Sequence, residues 1–215
     1  MTRAHACLQV YGDVLGKDAA ESSIMEPTNP YSCSKAAAEF ITKAYIRSYN
    51  LPVLITRGNN VFGPCQFPEK VIPKFILRLL RGQKCASPAL SSAITTLSSA
   101  ITTQSPSKLM RSYLSRPRRC CIHGDGSARR NYVFVDDVVH AFDAVLHMGL
   151  DGEVYNIGTS FEVDMLTLAR MIVAAMGLAP PGDSQAADEF IEFVEDRNIN
   201  DRRWVLLRRA CHALP

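Results

Sequence analysis

The sequence lacks any long apolar run. No stretch of about 18 consecutive apolar residues occurs among its 215, which excludes an ordinary transmembrane helix. Met1–His5 leads into no apolar h-region, so no secretory leader and a cytoplasmic location are expected. A strong charge of one sign is also missing. The formal net charge is +3, too small to argue for nucleic acid as a partner. Cysteine pairs are absent. The seven cysteines form no CxxC and no Cys/His ligand spacing, and no Asn-x-Ser/Thr sequon occurs. Zinc and a disulfide framework are therefore not expected, and the cysteines read as small, reduced, buried residues. Finally, no G-x-G-x-x-G run occurs; Gly124-Asp125-Gly126 lacks a third glycine and reads as a turn.

What is present is an ordinary globular composition, 47% hydrophobic and 21% charged, enough for a packed core. Asn29 is a good N-cap and Pro30 suits the first helical position. Ala37, Phe40, Ile41, Ala44 and Tyr45 then follow a 3/4 spacing, predicting a helix that buries this stripe and ends near Asn50. Val53–Thr56 reads as a buried parallel strand, and Arg57–Asn60 as the loop at its carboxyl end. Helices are expected over 73–81, 136–148 and 164–176, and strands over 121–123, 132–135, 154–158 and 190–194. The alternation predicts an α/β architecture.

Residues 86–119 differ. The hexapeptide SSAITT occurs at Ser91–Thr96 and again at Ser98–Thr103, and the stretch ends in basic Arg116-Pro117-Arg118-Arg119. It shows neither helical stripe nor strand alternation. It reads as a low-complexity insert without regular structure.

Tyr31-Ser32-Cys33-Ser34-Lys35 sets a phenol and an ammonium four residues apart at a helix start, hence on one face. A nearby lysine favours the phenolate, which suits a tyrosine that exchanges a proton with a substrate hydroxyl. Alone, Tyr-x-x-x-Lys is weak, and a surface Tyr–Lys pair is the plain alternative. The surroundings carry more. Pro27–Glu39 resembles the active-site helix of extended short-chain dehydrogenase/reductases. Thr56-Arg57-Gly58-Asn59-Asn60-Val61-Phe62-Gly63-Pro64, Gln66–Pro73, Ile122–Gly126, Arg130 and Tyr155–Thr159 resemble the nucleotide-sugar 4,6-dehydratases among them. The resemblance spans roughly Val10–Cys85 and Cys121–Arg203.

That resemblance implies the C-terminal part of an NAD-binding Rossmann-like fold plus a smaller α/β substrate domain, with the first βαβ units missing. It implies NAD as cofactor and dTDP-glucose or UDP-glucose as substrate, with rhamnose supply as the setting. Tyr31 would be the acid/base at the sugar O4, and Lys35 would bind the cofactor ribose and tune Tyr31. Asn60 and Arg130 would meet the substrate diphosphate, and Lys70 and His123 the nucleotide. Asn156 and Arg197 match further diphosphate-side positions. For His123, Asn156 and Arg197 a plain structural role stays open. The helix 31–49 would contribute to a homodimer.

The family reaction oxidises C4, eliminates water across C5–C6 and returns hydride to C6. Its elimination uses a Thr-Asp-Glu run just before Val-Tyr-Gly. Here Cys7-Leu8-Gln9 precedes Val10-Tyr11-Gly12; leucine has no proton to give, and glutamine is no carboxylate base. The expected organisation is 1–85, the later Rossmann-like part; 86–120, the insert; 121–204, the substrate region with its return to the core sheet; and 205–215, a divergent tail. The expected chain is an N-terminally truncated, inactive dehydratase. A non-catalytic relative that binds nucleotide-sugar or dimerises, and an epimerase or decarboxylase of the same superfamily, are the alternatives.

Overall fold

The computed structural model describes residues 4–13, 19–81, 119–196 and 202–204. The expectations for the insert and for Arg197 fall outside these residues, apart from 119 and 120. The chain forms two units. The first holds Met1–Cys65, Ser127–Met165 and Arg197–Pro215, and the second holds Gln66–Gly126 and Leu166–Asp196.

In the first unit, β1 (Ala4–Cys7) runs into a 3-10 turn at Leu8–Tyr11. Helix α1 spans Pro30–Tyr49, β2 Ile55–Gly58 and β3 Asn60–Phe62. In the second unit, α2 is Val71–Arg81 and β4 is Cys120–His123. Back in the first, β5 (Arg129–Phe134) leads directly into α3 (Val135–Met148), followed by β6 (Val154–Ile157) and β7 (Glu162–Asp164). Helix α4 (Met165–Ala175), the short α5 (Ser184–Asp188) and β8 (Ile191–Val194) complete the second unit. A two-residue strand, β9 (Arg203–Trp204), returns to the first.

Strand β2 is the centre of a parallel sheet ordered β1-β2-β6. Its Arg57 lies opposite Ala6 on one side and Asn156 on the other. Beyond Gly58 the chain crosses to a second sheet. There β5 pairs in parallel with β3 and β9, and antiparallel with β7. Helix α3 covers these strands: Val145 packs with Leu54 and Tyr155, and Val138 with Val133 and Ile157. In the second unit, β4 and β8 form a parallel pair. Leu168, Ala169, Ile172 and Val173 are the buried side of α4. Arg170 grips Asp188 through two hydrogen bonds of 2.8 and 2.7 Å, tying α4 to α5.

The structure corrects three expectations. Arg57 and Gly58, read as loop, are the last half of β2 and are buried. The α1 stripe of Phe40, Ile41 and Tyr45 faces outward, at 57%, 60% and 55% exposure; the helix instead buries Ser32, Ala36 and Glu39. The cysteines are not all reduced. Cys33, Cys65 and Cys120 are free thiols, and burial pushes Cys120 up to about 12. Cys121, however, is disulfide-bonded.

The first two corrections share one cause. Arg57, 1% exposed, donates from Nε to Glu39 Oε2 at 2.9 Å and from Nη2 to Glu39 Oε1. Its Nη1 reaches the Tyr11 hydroxyl and, at 3.1 Å, the Glu21 carbonyl. The guanidinium also stacks 4.8 Å from the Tyr11 ring centroid. A buried charge is tolerated only when paired and hydrogen-bonded, so α1 must turn Glu39 inward, and its apolar stripe goes outward. Burial raises the Glu39 carboxyl, but hydrogen bonds and charge from Arg57 and Lys43 outweigh it and hold it below its ordinary 4.5. For Tyr11 the balance runs the other way: burial raises its phenol above the ordinary range and the nearby Arg57 offsets this only in part.

Arg57→Met is expected to cost about 3–5 kcal/mol at pH 7, because it leaves the buried Glu39 carboxylate with the half-exposed Lys43 as its one charged partner of the two. Glu39 has a depressed folded pKa, so its stabilisation is full above its ordinary value of 4.5 and lost as pH falls through the lower folded value. Urea melts of both proteins should therefore differ widely at neutral pH and converge in acid. Equal midpoints at pH 7 would refute the argument.

Candidate active site

The Asn29 side chain accepts from Ser32 N at 2.9 Å and so fixes where α1 begins. Pro30 follows at the first helical position, where its missing N–H costs nothing. Upstream, Gly12 has φ +70°, and a Cβ there would meet the Glu26 carbonyl oxygen at 2.2 Å. Only glycine lets the 26–28 segment pass this close on its way into the helix. The result is that Tyr31 stands at the helix start, 53% exposed. Lys35, one turn on, holds its Nζ 5.4 Å from the Tyr31 ring centroid. The two side chains share one face, and the phenol is open to an incoming molecule.

The other candidates of the first unit lie on strands β3, β5 and β6. Asn60 opens β3, and its Nδ2 donates to the Asn131 carbonyl at 3.3 Å. Arg130 is 9% exposed, and its Nη1 donates to the Arg129 carbonyl at 2.7 Å and the Arg202 carbonyl at 3.4 Å. Asn60 is thus bonded to Asn131, the residue that follows Arg130 in β5. Asn156 is 2% exposed. Its Oδ1 accepts from Tyr11 OH at 3.1 Å, and its Nδ2 donates to the Ala19 carbonyl at 3.2 Å. A diphosphate contact by Asn156 requires that these bonds be exchanged.

Lys70 and His123 belong to the second unit. Lys70 is exposed just before α2, where its carbonyl accepts from Lys74 N at 2.9 Å. His123 ends β4, with Nδ1 3.1 Å from the Glu195 carbonyl. Arg197 lies outside the described residues. Leu8 and Gln9 fall in the 3-10 turn ahead of Tyr11. Among the described residues no group of three His, Cys, Asp or Glu could hold a metal ion. No helix among them is long and apolar enough to cross a membrane.

Residues 6–158 match the NAD dependent epimerase/dehydratase family. The chain belongs to that family. Among curated relatives of this family member, the dTDP-D-glucose 4,6-dehydratase of Bos taurus is 38% identical over 96% of this chain and 48% of its own length. A trifunctional UDP-glucose 4,6-dehydratase/UDP-4-keto-6-deoxy-D-glucose 3,5-epimerase/UDP-4-keto-L-rhamnose-reductase of Arabidopsis thaliana is 41% identical over 92% of this chain. That match covers 24% of the plant protein. The solved dTDP-glucose 4,6-dehydratase of Bacillus anthracis, in complex with NAD, superposes with a TM-score of 0.71 at 30% identity. It covers 95% of this chain and 52% of that one. The chain therefore spans about half the length of the dTDP-glucose dehydratases it matches. The α/β units are those of a Rossmann-like member of the family.

Sequence reasoning missed Tyr11, Glu39 and Asn131. The signal for Glu39 was available, as a carboxylate at helical spacing from Ser32 and Ala36; so was that for Asn131, a polar residue opening the apolar run 132–135.

Because Asn29 sets the start of α1, Asn29→Ala should lower stability by about 0.5–2 kcal/mol. It should also fray the turn that carries Tyr31. Helix-specific hydrogen exchange at Ser32 and Cys33 checks this; protection equal to the parent protein would contradict it.

Proposed function

We propose that this chain carries the Tyr-x-x-x-Lys helix and the sugar-nucleotide side of an NAD-dependent nucleotide-sugar 4,6-dehydratase acting on dTDP-glucose or UDP-glucose. The single observation that carries the reading is the exposed Tyr31 with Lys35 across one helical turn, in a chain 38% and 41% identical to dehydratases of these two sugars.

In this reading Tyr31 takes or returns the proton of the sugar O4 hydroxyl. Lys35 donates to the cofactor ribose and keeps positive charge beside the phenol. Arg130 offers a guanidinium fork to the diphosphate, and Asn60 adds an amide donor at the carboxyl end of a parallel strand, where ligands of open α/β sheets bind. Lys70 and His123 contact the nucleotide, and Asn156 and Arg197 stand on the diphosphate side. The phenol–ammonium donor set fits the nicotinamide-ribose end of NAD, whereas the 215 residues contain no glycine-rich loop for its pyrophosphate. NAD, when bound, supplies the hydride acceptor and donor.

Elimination of water needs an acid and a base. Leu8 and Gln9, in the positions where the family has Asp and Glu, offer neither. The chain is therefore expected to bind dTDP or UDP without converting dTDP-glucose or UDP-glucose to the 4-keto-6-deoxy sugar. Incubation of the purified chain with NAD and each sugar nucleotide, read by mass spectrometry for loss of water, checks this; sustained turnover would overturn it.

The reading includes a homodimer through α1. Its support is the row of exposed Phe40, Ile41, Tyr45 and Tyr49, with Tyr45 and Tyr49 stacked at 5.6 Å. Apolar side chains aligned along one helix face and uncovered by their own unit are what a helix–helix interface supplies. Sedimentation should give a dimer, and Phe40→Glu with Tyr45→Glu a monomer. A monomeric parent chain would remove this part.

A further inference from the structure

A cluster of polar groups joins the two sheets of the first unit, and Asn131 is its hub. Asn131 is fully buried in β5. Its Nδ2 donates to the Thr159 carbonyl at 2.7 Å, in the segment between β6 and β7. The Thr159 hydroxyl returns a bond to the Tyr132 carbonyl at 2.9 Å. The Asn131 carbonyl in turn accepts from Asn60 Nδ2 at 3.3 Å. Asn59, next in the chain, donates from its backbone N to the Ile157 carbonyl at 3.0 Å, which extends the β2–β6 ladder by one bond.

Two polar atoms here go unused. Asn131 Oδ1 and Asn59 Nδ2 are buried without a hydrogen-bond partner. Buried polar atoms in this state cost stability, and native structures keep few of them. An apolar residue at 131 would remove one such cost. Packing therefore does not account for the asparagine, whereas the orientation of its neighbours does.

We propose that Asn131 is a positioning residue, which clasps the Thr159 segment to β5 so that its own carbonyl aims the Asn60 amide at a nucleotide diphosphate. The inference rests on the diphosphate reading of Asn60 given above. The side chain of Asn131 touches no ligand; it acts through Asn60 and Thr159.

The test compares the full chain with Asn131→Leu, which removes the clasp, and with Asn131→Asp, which keeps the size and the acceptor but removes the donor. Two probes are titrated by calorimetry, dTDP and thymidine. The side-chain amide resonances of Asn60 are followed by NMR in the absence of ligand. Positioning predicts that each variant binds dTDP about tenfold more weakly, the weight of one aimed hydrogen bond to a charged group. Thymidine affinity should stay at the parent value in both variants and the melting temperature in Asn131→Leu, whereas the buried carboxyl of Asn131→Asp lowers the melting temperature and leaves thymidine affinity unchanged; in both, the Asn60 amide resonances should move toward those of a solvated amide. A parallel fall in melting temperature, thymidine affinity and dTDP affinity would show a structural role and overturn the proposal. So would unchanged Asn60 resonances in both variants. If Asn131→Leu does not fold, Asn131→Asp decides by the same measurements. If the parent chain binds no dTDP, the diphosphate reading fails, and the ligand-free Asn60 resonances still decide whether Asn131 aims that side chain.

Discussion

The pairing of Arg57 with Glu39 is the constraint on which the first unit depends. Arg57 lies in the middle strand of a parallel sheet, where water cannot reach its charge. One carboxylate on α1 neutralises it, and Lys43 shares that carboxylate at 2.7 Å. The helix can satisfy this only in one rotation about its axis. That rotation puts Ser32, Ala36 and Glu39 against the sheet and leaves Tyr31 and Lys35 accessible at its start. The orientation of the Tyr31–Lys35 pair is therefore a consequence of a charge buried in the next element, β2.

The same guanidinium organises the chain around it. Tyr11, in the turn after β1, is held between Arg57 and Asn156. Asn156 reaches on to the Ala19 carbonyl, and its backbone N donates to Glu21 Oε1 at 3.0 Å. Three parallel strands and the segment leading to α1 thus meet in one hydrogen-bonded network beside a small apolar cluster of Val10, Tyr11, Ala19 and Ala36. Networks of this kind are rigid when every member is satisfied. Just past the end of β2 and within β5 the rule is relaxed, since Asn59 and Asn131 each keep an unused polar atom. A rigid frame with unsatisfied polar groups is the arrangement expected where a ligand is to be held.

Local sequence signals located most elements well. Asn29-Pro30 marked the start of α1, and Asn50, at φ +50°, its end, because capping chemistry is decided by neighbours in the chain. Strands β4, β6 and β8 were visible as short apolar runs. Strands β1, β3, β7 and β9 were not. They are two to four residues long, too short for a period to register, and exist because a partner strand is there to pair with. Arg57 misled for a related reason. A charged residue next to glycine reads as loop unless its buried partner, eighteen positions away, is known.

By itself the sequence determined the α/β class, the place of the Tyr31–Lys35 pair on a helix start and the motifs that mark the family. It also determined that Leu8 and Gln9, not carboxylates, precede Val10-Tyr11-Gly12. These are matters of residue identity and of spacing along one element. Only the tertiary structure decided which face of α1 is buried, that Asn156 is committed to Tyr11 and Ala19, and that Asn131 links Asn60 to Thr159. The reason is physical. Burial of a charge and satisfaction of a buried amide depend on groups far apart in the chain, and these meet only once the sheets have formed.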